Sequence, residues 1–197
     1  MPLPEPVART PLHCRQLICR GYRREDGLWD IEGHLCDTKD YGFTTRWRGD
    51  VQAGDPIHDM WIRLTVDDDF IVREVHVAVE KSPYPMCPAV IPNLQRLKGI
   101  PIARGWRRAV RERLGGTAGC THLVEMLFPL ATAAFQTIYP ARIRDRGQPV
   151  EDLKAGDRPM LLNTCHAYAE SSPVVRDLYP AHYRPAAAES GAAESRS

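Results

Sequence analysis

Large apolar side chains fall on alternate positions of "WDIEGHLC": Trp29, Ile31 and Leu35 share one face, and Glu32, His34 and Cys36 share the other. A period of two predicts a half-buried β-strand. The alternation returns in "IHDMWIRLTV", where His58, Met60, Ile62, Leu64 and Val66 are in phase after the turn signal "AGDP". It returns again in "IVREVHVAVE", with Val75, Val77 and Val79 facing together against His76 and Glu80. The short acidic "DDDF" between these two runs predicts a β-hairpin, with the first strand beside it.

After the prolines of "SPYPMCPAVIP" the period lengthens. "PNLQRLKG" predicts a short helix closed by Gly99. "ARGWRRAVRERLGG" predicts a second, with Trp106, Val110 and Leu114 four residues apart and a basic outer face. A third is expected from about Thr121 to Thr137, striped by Leu123, Leu127, Leu130 and Ala134. Pro129 inside it should remove the bond to the Glu125 carbonyl and kink the helix. "YPARIRDRGQPVEDLKAGDRP" reads as a basic loop, and "MLLNTCHAYAESSPVVRDLYPAHY" as irregular chain with one short helix.

Strands followed by helices predict an α+β fold: an antiparallel sheet of about three or more strands in the first half, with the helices of the second half packed on one face. The proline-rich residues 1–12 are expected to form an extended arm and residues 13–184 a single domain. Residues 186–197 hold no apolar side chain larger than alanine, and residues 185–197 are expected to be a disordered tail.

Composition narrows the function classes. With 43% hydrophobic and 26% charged residues the chain has the make-up of a soluble globular protein. Basic and acidic side chains nearly balance, 26 against 25, so no global field draws nucleic acid or anionic lipid. The start has neither the basic nor the apolar region of a signal peptide, and no apolar run is long enough to span a bilayer. The expectations are a cytoplasmic location and a small-molecule substrate, with neither nucleic acid nor membrane as partner; a homodimer is allowed. Six cysteines without a CxxC pair argue for free thiols or dispersed metal ligands rather than a zinc ribbon. Nucleotide-loop and serine-hydrolase motifs are missing.

The candidate chemistry gathers in four places. In "GGTAGCTHLVEMLFPL", Cys120 and His122 stand where a glycine-rich loop becomes an apolar helix. A helix N-terminus favours a thiolate, so the pair reads as metal ligands, as a nucleophile with its base, or as the packed start of a core helix. His58 in "PIHDMW" is in phase with the apolar face and Asp59 is on the other. His58 is therefore a satisfied core histidine, or half of a site if it meets His122 or a cysteine across the sheet–helix interface. Cys87 leaves the last strand between prolines, and Cys165 with His166 adds ligands from a loop; zinc accepts such sets. Glu32 and His34, on one strand face beside aromatics, read as acid/base groups or as a solvated face whose ion pairs contribute little.

In order, "REDGLWDIEGHL", "PIHDMW", the "PY" before Cys87, "GCTHL" and "CHA" resemble a bacterial family catalogued as a domain of unknown function, from about Arg15 to Tyr183. That resemblance implies one family plan and no activity. At the level of fold the chain is also similar to iron–sulfur cluster scaffold proteins, which place one cysteine after a three-stranded sheet and another at the start of a long helix, as Cys87 and Cys120 are placed. It departs from them where His122 replaces a third cysteine and prolines flank Cys87.

These residues lead to a small-molecule enzyme, of lyase, isomerase or hydrolase type, acting on an aromatic or acyl substrate between sheet and helices. Its catalytic groups would be His58, His122 and Cys120, with Glu32 and Asp59 assisting, and its walls Trp29, Trp61, Tyr84 and Trp106. One alternative is a zinc or iron module held by Cys87, Cys120, His122 and Cys165. Another is an interaction domain without chemistry.

Overall fold

The structure, a computed structural model, describes residues 2–145, 147 and 161–185. The chain forms two compact units, Met1–Tyr139 and Pro140–Ser197. The first is built on strands β1 (His13–Arg23), β2 (Trp29–Lys39), β3 (Phe43–Thr45), β4 (Gly49–Val51), β5 (Pro56–Val66) and β6 (Val72–Lys81). Four of them make an antiparallel sheet in the order β1-β2-β5-β6, and β3 pairs with β4 in a separate hairpin. With α1 (Trp106–Leu114) and α2 (Thr121–Asp145) following, the fold is α+β.

Alternation decides the sheet's two faces. Trp29, Ile31, Leu35, Met60, Ile62, Leu64, Val66 and Val75 are all buried on the inner face, while Trp61 and Arg63 between them are exposed. Strand β1 escaped the sequence reading because it is an edge strand, exposed nearly throughout, with few apolar residues to mark a period. The opposite edge is covered. There Val72 donates to the Ile100 carbonyl, Gly99 to Val72, and the Gln95 side chain to Val75.

The β5–β6 turn is tied by one carboxylate. Asp67 Oδ1 accepts the N–H groups of Asp69 and Ile71, each at 2.9 Å, while Oδ2 pairs with Arg73. An aspartate folding back on its own turn is a common device for reversing the chain. Helix α2 contributes Leu123, Met126, Leu127, Leu130, Ala134 and Ile138 to the core, all fully buried. Each large side chain among them stabilises the fold by about 1.5–3 kcal/mol relative to exposure. Two glycines let the helix approach. A Cβ on Gly33 would stand 3.1 Å from Leu130, and one on Gly21 1.8 Å from the Thr137 hydroxyl.

The helix is longer than the stripe suggests: it continues past Thr137 to Asp145, through Pro129. Residues Cys87–Leu97 wind as a 3-10 helix instead of a short α-helix, with Pro92 inside it and Gly99 beyond its end at φ 79°. Helix α1 buries Trp106, Val110 and Leu114, as their spacing predicts. In the second unit, α3 (Pro173–Leu178) starts at Ser172, whose hydroxyl accepts the Val175 N–H at 3.1 Å. Leu162, Val175 and Tyr179 form its small core, flanked by Tyr168, Leu178 and Tyr183. Most of the expected basic loop, and the expected tail except Pro185, lie outside the described residues. Among the described residues no helix is long and apolar enough to cross a membrane.

Candidate functional site

The inner face of the sheet is apolar until its last rung. Asp37 continues the Trp29–Ile31–Leu35 phase and is 1% exposed, opposite His58 in the β2–β5 register. A charge buried this far requires partners. Arg15, its neighbour on β1, donates from Nε to Oδ1 and from a terminal nitrogen to Oδ2, both at 2.7 Å. His58 Nδ1 lies 2.8 Å from Oδ2, and His13 Nε2 3.6 Å from Oδ1.

Burial pushes the Asp37 carboxyl up, but the Arg15 fork and the His58 bond outweigh it and hold the group below the ordinary carboxylate value. An ionised Asp37 is an acceptor only, so His58 donates from Nδ1 and keeps a lone pair on Nε2. Burial first, and then the neighbouring His122, push the His58 pKa down despite Asp37, so His58 is neutral at neutral pH.

Helix α2 brings the remaining groups. The His122 ring stacks at 3.8 Å from that of His58, tilted by 34°, and its Nε2 is 4.0 Å from Asp37 Oδ2. Cys120, immediately before the helix, has its Sγ 3.8 Å from His122 Nδ1. Burial raises the Cys120 thiol, but His122 and the backbone N–H groups of Leu123 and His122 overcome this and bring it below the ordinary thiol value. Arg15 also reaches Glu125 at 3.6 Å, bridging β1 to the first turns of α2.

His58, His122 and Cys120 thus come together. Glu32 and Asp59 are on the opposite face of the sheet, a consequence of the two-residue period. There Glu32 accepts from Arg63 at 2.7 Å and Asp59 from His34 at 2.8 Å. The expected aromatic walls also separate. Trp29 is at the far end of the sheet, bonded to Asp68; Trp61 stacks on His34 on the outer face; Trp106 is buried with its indole N–H on the Leu127 carbonyl. Tyr84 is exposed beyond the end of β6, the end that pairs with Asp59 next to His58.

Among the described residues, the metal-capable group is Asp37, His58 and His122, whose ligand atoms lie within 4.8 Å of one another. Cys87 opens the 3-10 segment and is not part of that group, and Cys165 is exposed in the second unit. Asp37, which the sequence shows only as one member of a dense polar run from Arg23 to Lys39, and Arg15 are the site residues that were not among the candidates. The available signal was a carboxylate in phase with three buried apolar residues.

No match was found to the chain among the curated proteins, and none among the solved structures. The family model described as "Protein of unknown function (DUF2889)" matches residues 13–136, which span every residue of the inner-face cluster. The chain belongs to that family.

Proposed function

We propose that the first unit is a small-molecule enzyme of hydrolase type, with Cys120 as nucleophile and His122 as its base. The observation that carries this reading is the meeting of a lowered-pKa thiol at a helix start with two imidazoles over one buried carboxylate. His122 Nδ1 takes the thiol proton, and Cys120 Sγ adds to a substrate carbonyl. As the bond to the leaving group breaks, His122 returns the proton to it. Water then attacks the thioester, giving a proton to His58 Nε2, and the thiolate leaves. Asp37 holds His58 in the tautomer this step needs, and Arg15 keeps Asp37 ionised.

The test is mass spectrometry of the intact protein after incubation with an activated aryl ester. Acylation at Cys120 in the wild type, absent in Cys120→Ser and slowed in His122→Ala, is the expected result. Labelling spread over all exposed thiols would sink the reading.

A second reading rests on the three converging donors: zinc or iron(II) held by Asp37, His58 and His122. Arg15 already engages both Asp37 oxygens, which favours the first reading. Elemental analysis of protein purified without added metal or chelator separates the two. Stoichiometric metal, lost in His58→Ala, favours the second.

A further inference from the structure

We propose that the β3–β4 hairpin recognises the substrate, and that it selects a flat aromatic acyl compound carrying an anion. This deepens the nucleophile reading above and rests on it for the reacting bond.

The register determines where the hairpin must be. Asp37 and His58 face each other on β2 and β5, and residues 40–55 are the connection between those strands. The hairpin therefore springs from the end of the sheet that holds the site. It is also anchored beside the chemistry. An Arg48 guanidinium nitrogen donates to the carbonyls of Pro56 and Ile57, at 2.9 and 3.3 Å, immediately before His58. Gly54 closes the base by donating to Lys39 at 2.8 Å, and Val51 is 3% exposed.

On this anchored hairpin Tyr41, near its base, and Trp47, in its turn, are exposed. Each carries a cation on its ring: Lys39 at 5.8 Å from Tyr41 and Arg46 at 5.3 Å from Trp47. Among the described residues neither cation is within salt-bridge distance of a carboxylate. Of the hairpin's acids, Asp50 accepts from the Thr44 hydroxyl and Asp55 from the Gln52 N–H, while Asp40 lies between Lys39 and Tyr41 in the chain. Tyr84 and Met86 add exposed apolar surface at the same end of the sheet, just beyond β6.

Aromatic faces with adjacent guanidinium and ammonium groups bind a planar apolar body together with a negative charge. Arg48 is in the same turn as Arg46 and Trp47 and ties that turn to the start of β5, so such a ligand docks without disturbing the fold. An aliphatic acyl anion would engage the cations but could not stack on the rings. A neutral aromatic would stack on the rings and leave the cations unused.

The experiment is calorimetry on the full chain with naphthoate as probe, and hexanoate and naphthol as controls. Naphthoate is expected to bind saturably and to protect Cys120 from iodoacetamide, with both controls about tenfold weaker. Trp47→Ala and Arg46→Glu, both at the exposed tip, should each weaken naphthoate about tenfold and remove the protection. Trp61→Ala, on the outer face, should leave both unchanged. Wild-type affinity in the two hairpin variants, or binding without protection of Cys120, would overturn the proposal. Calorimetry on Cys120→Ser reads the hairpin apart from the chemistry. Normal naphthoate binding there supports the hairpin's role even if aryl esters fail to acylate the wild type, an outcome that sinks the nucleophile alone.

Discussion

Strands β2 and β5 carry two histidine–aspartate pairs, back to back. On the inner face β2 supplies Asp37 and β5 supplies His58; on the outer face β2 supplies His34 and β5 supplies Asp59. Both hydrogen bonds measure 2.8 Å. What differs is the surroundings. The inner carboxylate is buried, forked by Arg15 and approached by His122 from α2, with Cys120 beside His122, whereas the outer pair is a quarter exposed and its His34 is stacked on Trp61. A shared motif thus acquires different chemistry from its burial and its neighbours. Each pair has a thiol nearby, Cys120 at the inner one and Cys36, opposite Asp59, at the outer one, but only the inner thiol has its pKa lowered.

The largest expected contrast is between thiols. Cys36, on the outer face, is pushed up by burial and by the charges of Asp59 and Asp37, while Cys120 is brought down. The lower pKa gives the larger thiolate fraction, so alkylation at neutral pH should be faster at Cys120 than at Cys36. Peptide mapping after a short iodoacetamide pulse measures the ratio. Replacing His122 by Ala should move the Cys120 profile to higher pH. Equal rates at the two cysteines would mean that the inner cluster does not activate its thiol.

Stability should divide the pairs next. In a buried position, Asp37→Asn removes the charge facing Arg15 and puts an amide donor in place of one of the two acceptor oxygens that Arg15 and His58 share. It is expected to cost about 2–4 kcal/mol in urea unfolding. Asp59→Asn breaks a partly solvated bond and should cost less than about 1 kcal/mol. A similar loss in both would show that burial does not separate them.

The pH dependence follows from the same carboxylate. Asp37 has a folded-state pKa below its unfolded value of about 3.9. Its contribution is therefore complete above that value and is lost as pH falls through the folded pKa. Asp67, lowered by the Ile71 N–H and by Arg73 against its burial, acts in the same direction. Acid unfolding of Asp37→Asn should accordingly be shallower than that of the wild type, and shallower again in the double variant with Asp67→Asn.

Much of the sheet was legible because inner and outer positions alternate cleanly: the β5–β6 hairpin, its partner β2 and the α2 stripe are where the periods put them. The phase of His58 and the position of Cys120 and His122 likewise pointed to the inner face. Asp37 was legible in principle, two residues beyond Leu35, but a lone carboxylate in a polar run does not stand out until Arg15 is known to lie beside it. Strand β1 had no apolar period to reveal it, so neither its existence nor the Arg15 fork could be read. The aromatic walls failed for another reason. Composition counts tryptophans but does not place them, and register sent Trp29 to the far end and Trp61 to the outer face.

The smallest effect belongs to the outer pair and isolates what the stacked ring contributes. Trp61 lies 3.8 Å from His34 with the rings 9° from parallel, and is 38% exposed. Such a stack contributes about 0.5–1.5 kcal/mol when buried, and less where water competes. A double-mutant cycle over Trp61→Ala and His34→Ala should give a coupling below about 1 kcal/mol, because neither group loses its access to solvent. Cys120 alkylation should be unchanged in all three variants, since the outer face meets the inner cluster only through the backbone of β2 and β5. A rate change there would mean that the two pairs are mechanically coupled across the sheet, and that the outer histidine helps to position the inner one.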